Sequence, residues 1–112
     1  MPYRLYVIGL KAEVLNVRKF REANPEYIEG SACYYVGYTS KSPDIRSEQH
    51  RDAARKPDGS PLFSRIAHRF HDGLRHRKYQ HLPPLDTVEE ALEAEKNLTL
   101  RLRRRGFGVW SN

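Results

Sequence analysis

The segment Tyr3-Arg4-Leu5-Tyr6-Val7-Ile8-Gly9-Leu10 is rich in aromatic and β-branched residues and barely alternates between apolar and polar. Such a run reads as a strand buried on both faces, so the rest of the chain must cover it from two sides. Tyr34-Tyr35-Val36-Gly37-Tyr38-Thr39, entered from Gly30-Ser31, reads as a second strand. With 112 residues the chain is expected to form one domain. A domain of this length buries roughly two thirds of the surface its unfolded chain exposes, enough for one core without staples. A single cysteine, Cys33, excludes an internal disulfide and a cysteine-based zinc site, and it agrees with a reducing compartment. No apolar run approaches the ~20 residues that cross a bilayer, and Met1-Pro2-Tyr3-Arg4 does not begin a signal peptide. A soluble, intracellular, cytoplasmic protein without a membrane partner is expected.

Helix signals occupy most of the remainder. Asn16 is placed to cap a short helix carrying Val17 and Phe20, which ends before Asn24-Pro25. Ser42-Pro43 sets a capping hydroxyl before a proline at the first helical position, predicting a helix from Pro43 to about Arg55, stopped by Pro57-Asp58-Gly59. Ser60-Pro61 repeats the signal, and Leu62, Ile66, Phe70 and Leu74 recur at helical spacing, predicting a core helix closed by Gly73 and Pro83-Pro84. Thr87-Val88-Glu89-Glu90 is a capping box that opens a final helix running to about Arg105 and Gly106. Phe107-Gly108-Val109-Trp110 reads either as a short closing strand or as a packed tail.

The stripe of that final helix is Val88, Ala91 with Leu92, Glu95, Leu98 with Thr99, and Leu102. An acid therefore sits in the middle of an apolar face. Burying an isolated carboxylate costs several kcal/mol, so Glu95 is expected to be paired, protonated or bound to a metal, unless it reaches solvent at an edge. Arg46 and His50 stand one turn apart on a helix with little else to bury. A guanidinium and an imidazole that project together suit phosphate chemistry, although an exposed polar helix is the simpler alternative.

The formal net charge is +6, and its distribution is uneven: +4 over residues 61–85, −4 over 86–100 and +4 over 101–112. Residues 61–85 also hold four of the five histidines. A basic footprint of this kind favours polyanions, because each Lys or Arg set against a phosphate releases condensed counterions. His68, His71, His76 and His81 lack a carboxylate or cysteine partner at a zinc spacing. Phosphate contact by Arg65, Arg69, Arg75, Arg77 and Lys78 is the better use of that segment.

Taken together, these residues resemble the GIY-YIG nuclease superfamily over nearly the whole chain. Leu5-Tyr6-Val7 stands where the family's first motif falls, with Arg4 or Leu5 in place of its glycine. Tyr35-Val36-Gly37 matches the second motif. Arg46 follows Gly37 by nine residues, and His50 comes one turn later at a position that is His or Tyr in relatives. The run Glu90 to Glu95, followed by Lys96-Asn97-Leu98, looks like the helix whose last glutamate is the family's metal ligand.

The resemblance implies a small α+β domain with a central three-stranded antiparallel sheet flanked by helices, and a metal-dependent DNA endonuclease site made of Tyr6, Tyr35, Arg46, His50 and Glu95. One Mg²⁺ or Mn²⁺ ion, held by Glu95 and waters, would polarise the scissile phosphate. Arg46 would neutralise charge on the phosphoryl oxygens. Tyr6, Tyr35 or His50 would deprotonate the attacking water, His50 having the ordinary pKa nearest neutrality. Gly37, Tyr38 and Lys41 are expected to meet the nucleic acid, Gly37 by letting the backbone approach it. DNA is the expected partner, with RNA not excluded and a homodimer or a DNA-targeting partner protein open. The alternative is a non-catalytic nucleic-acid-binding module that keeps the fold.

Overall fold

The computed structural model describes residues 2–111. Strand β1, Arg4–Leu10, lies inside a four-stranded sheet of order β3-β1-β2-β4, with β2 at Cys33–Thr39, β3 at His71–Leu74 and β4 at Gly108–Ser111. The near-continuous apolar run follows from that placement: Leu5 to Leu10 are all buried. Pairing of β1 with β2 is antiparallel and sets Tyr6 opposite Gly37 and Ile8 opposite Tyr35. Tyr6 and Ile8 thus share one face with Tyr35 and Gly37, while Leu5, Val7 and Gly9 share the other with Tyr34, Val36 and Tyr38.

The chain is α+β as expected, but the sheet is not three-stranded and antiparallel. Its fourth strand, β4, runs parallel to β2 with Val109 opposite Tyr34. The closing-strand reading of the C-terminal segment is therefore the one the fold adopts. Asn24 fixes it: its side-chain oxygen accepts from the Val109 backbone N–H at 2.8 Å and from Arg103 at 3.2 Å.

The helices are α1 (Arg18–Ala23), α2 (Pro43–Arg51), α3 (Arg65–Arg69) and α4 (Val88–Arg104). Ser42 caps α2 as predicted, accepting from Ile45 N–H. Thr87 caps α4, accepting from Glu90 N–H at 3.1 Å, although Glu90 reaches back one residue further than expected, to Asp86 N–H. The helix at the chain's front begins after a 3₁₀ turn, Ala12–Asn16, and is capped at Val17 rather than Asn16. The long core helix predicted from Pro61 to Leu74 is the main correction. Only Arg65–Arg69 is helical, capped by Ser64, and His71–Leu74 leaves it to pair antiparallel with β1 across a register shift. Residues 54–62 instead form a small hairpin, closed by Leu62 N–H to the Ala54 carbonyl at 2.8 Å and by an Arg55–Pro61 bridge. That pairing takes Leu62 out of the helical stripe. No helix among the described residues is long and apolar enough to cross a membrane.

Candidate active site

A cleft of about 730 Å³ opens over the Tyr6 end of the sheet. Tyr6 from β1, Tyr35 and Gly37 from β2, Arg46 from α2 and Glu95 from α4 all line it. Four elements, spread from β1 to α4, thus deliver the residues singled out from sequence to one place. Tyr38 and Lys41 line it too.

His50 is not in the cleft wall but beneath it, fully buried, with its ring 5.1 Å from that of Tyr35 and Nε2 2.9 Å from the Tyr6 hydroxyl. Its other nitrogen, Nδ1, is 2.9 Å from the Ser64 backbone N–H. A backbone N–H can only donate, so Nδ1 is the acceptor and the neutral ring carries its proton on Nε2. His50 therefore donates to the Tyr6 oxygen. Burial, reinforced by Arg46 and His71, lowers its pKa to about 3, so the ring stays neutral at physiological pH. A ring with both nitrogens committed and no access to solvent does not deprotonate water. Of the three residues left open as the base, Tyr6, Tyr35 and His50, the geometry gives His50 a positioning role, holding Tyr6 from below.

Gly37 also takes on a different meaning. A Cβ there would overlap the hydroxyl and ring of Tyr6, its cross-strand neighbour, so the glycine makes room for the phenol. Burial raises the pKa of Tyr6 well above the ordinary tyrosine value, with Tyr35 and Glu95 adding to the rise and Arg46 opposing it. Burial, then Glu95, pushes Tyr35 up to about 12, again against Arg46. Both phenols are protonated at neutral pH.

Glu95 is only 6 % exposed, and among the described residues it has no ion pair or hydrogen-bond partner. Desolvation raises its pKa to about 7. Its oxygens are not among the fully buried polar atoms that lack a partner, so the carboxylate reaches the cleft it lines. A carboxylate so placed fits a divalent cation, and Mg²⁺ commonly takes one carboxylate together with waters and substrate phosphate. No three His, Cys, Asp or Glu side chains gather into a metal-holding group anywhere among the described residues, the cleft included, so Glu95 is a lone carboxylate there. Arg46 donates through Nη1 to the Leu62 carbonyl and to Gln49 Oε1, which anchors the guanidinium and leaves the other edge of its fork free.

Sequence reasoning missed Tyr3, Lys56 and Leu92, which line the cleft, and Gln49 and Ser64, which hold Arg46 and His50. Helical spacing from Arg46 points to Gln49. Ser64 carries no local signal, because its contact arises only when α2 and α3 meet.

The basic residues assigned to nucleic acid separate into two groups. Arg65 and Arg69 line a second groove beside α3. Arg75 is paired with Asp72 at 2.7 Å and lies over Gly9, on the sheet face opposite Tyr6. Lys78 sits over the Tyr34 and Phe107 rings on that same face, and Arg77 is exposed in the same 3₁₀ turn, His76–Lys78. The chain matches no family model, and neither curated proteins nor solved structures give a match.

Proposed function

We propose that the chain is a divalent-metal-dependent endonuclease of the GIY-YIG type, hydrolysing phosphodiester bonds in DNA. The observation that carries this reading is the convergence of Tyr6, Tyr35, Arg46 and Glu95 on one cleft, with His50 bonded beneath Tyr6. The free edge of the Arg46 guanidinium is suited to the non-bridging oxygens of a phosphate, where charge accumulates as the bond breaks. Tyr6 and Tyr35 orient the attacking water through their hydroxyls. Tyr6 is preorganised for this because His50 occupies one side of its oxygen, leaving the phenolic proton to turn elsewhere. Arg46 lowers the cost of moving a proton off either phenol, and charge compensation of Glu95 would remove that carboxylate's smaller share of the rise, while the larger share from burial stays. Glu95 is the residue that would hold Mg²⁺ or Mn²⁺; when bound, the ion supplies Lewis-acid polarisation of the phosphate and stabilises the leaving 3′ oxygen.

The test is purified protein with plasmid, flap, branched and single-stranded DNA, with and without Mg²⁺ or Mn²⁺. Metal-dependent cutting is expected, with Glu95→Ala and Arg46→Ala each slowing it by about 10²-fold or more. Equal cutting by wild type and Glu95→Ala, or no cutting of any substrate, overturns the reading. Metal-independent binding without cleavage favours a non-catalytic module on the same fold.

A further inference from the structure

The second groove, also about 730 Å³, runs between α1 and α3. Its cations are Lys19, Arg65 and Arg69, all exposed, and its apolar wall is made by Phe63, Ile66 and Phe70. No acidic residue lines it. Among the described residues, none of the three cations is within salt-bridge distance of a carboxylate, whereas Arg18, Arg51 and Arg75 each have one. Two guanidiniums are also held against rings: Arg69 lies 5.0 Å from the Phe70 centroid and Arg55 lies 5.5 Å from that of Phe63. Such stacking restrains a flexible arginine while leaving its N–H groups available to a phosphate.

The groove adjoins the first cleft through consecutive residues. Leu62 lines the cleft and Phe63 lines the groove. The hairpin over residues 54–62 stands between them, and its Lys56 faces the cleft while its Arg55 reaches Phe63. One basic ridge therefore joins two hollows of similar size.

We propose that this groove is a second nucleic-acid-binding subsite, which takes the phosphate backbone of the substrate beyond the bond held in the cleft. The proposal rests on the nuclease reading of the cleft for what lies next door. A polyanion long enough to cross the ridge is the ligand class that uses both hollows at once, and aromatic side chains among unpaired cations suit a nucleic acid.

Fluorescence anisotropy with labelled 30-nucleotide single strands and 30-base-pair duplexes, in EDTA so that nothing is cut, reads the groove apart from catalysis. Arg65→Ala/Arg69→Ala is compared with Arg101→Ala/Arg104→Ala, which removes the same charge from exposed positions on α4. The first variant is expected to lose more than tenfold in duplex affinity at 0.1 M salt, and its log–log salt slope to fall by about 1.8, two phosphate contacts at about 0.9 each. The second is expected to lose less. Binding to anionic phosphatidylserine vesicles and to an acidic peptide is measured for the same variants. Unchanged DNA affinity and slope in the first variant, equal losses in the two, or a loss confined to the vesicles or the peptide overturns the proposal. Circular dichroism confirms that both variants are folded. Failure of the groove leaves Glu95-dependent cutting intact, and failure of cutting leaves the binding comparison readable.

Discussion

Glycine at position 37 shapes the cleft, and threonine at position 99 shows what one buried hydroxyl costs behind it. Because a Cβ on residue 37 would overlap Tyr6, Gly37→Ala must push the phenol off His50 or move the strands apart. Overpacking of this kind costs about 1–3 kcal/mol, so urea unfolding should show that loss, with the Tyr6-dependent step of any cutting impaired as well. Wild-type stability in Gly37→Ala would mean that Tyr6 has room to spare. Thr99, one turn beyond Glu95, is 2 % exposed, and its hydroxyl is the buried side-chain polar atom left without a partner among the described residues. An unmade buried hydrogen bond costs about 1–3 kcal/mol, and valine has the same shape. Thr99→Val should therefore be neutral or stabilising by about 1 kcal/mol in the same urea assay; a clear destabilisation would show that the hydroxyl has a partner in solution.

At the level of elements, what could be read in advance was what neighbours in sequence decide. Ser42 and Thr87 announce α2 and α4 through hydroxyls that meet backbone amides three residues on, a local contact. The misread element, residues 61–74, has a helical stripe on paper, yet Leu62 is claimed by Ala54 and Leu74 by Ile8, partners 8 and 66 residues away in the chain. Periodicity contains neither partner. The parallel seat of β4 was equally invisible, since it depends on Asn24 meeting Val109. Glu95 was legible because an acid inside an apolar stripe is a local anomaly, whereas the Ser64 bond that fixes the His50 tautomer was not. The end of α2 has a cost of its own: Ala53, just past its C-cap, adopts a left-handed φ of 53°, a position where glycine is usual. Left-handed geometry costs a non-glycine residue about 1 kcal/mol. Ala53→Gly should recover up to about that much in thermal or urea unfolding, and a fall in stability would show that the alanine methyl makes contacts worth more than the strain.

For the molecule as a whole, two buried groups under one cleft make opposite demands on pH. His50 has a folded pKa of about 3 against 6.5 in the unfolded chain, so the unfolded state binds its proton first and stability is lost as pH falls from about 6.5 towards 3. Glu95 has a folded pKa of about 7 against 4.5, so its contribution is fully present below about 4.5 and is lost as pH rises to about 7. Each slope is about 1.4 kcal/mol per pH unit, and between pH 4.5 and 6.5 the two cancel. Wild-type stability from these groups is therefore flat across that window and falls below it. Glu95→Gln removes one slope and exposes the other, so the variant's stability should fall more steeply than the wild type's as pH drops from 6.5 to 4.5. At pH 8 the same substitution should stabilise the protein, because it removes a desolvated carboxylate. If Glu95 holds a divalent cation, millimolar Mg²⁺ should stabilise the wild type at pH 8 and leave Glu95→Gln unmoved, since ligand bound only to the folded state adds to its stability. Parallel pH curves for the two proteins would remove the carboxylate from the account, and equal Mg²⁺ responses would remove the metal.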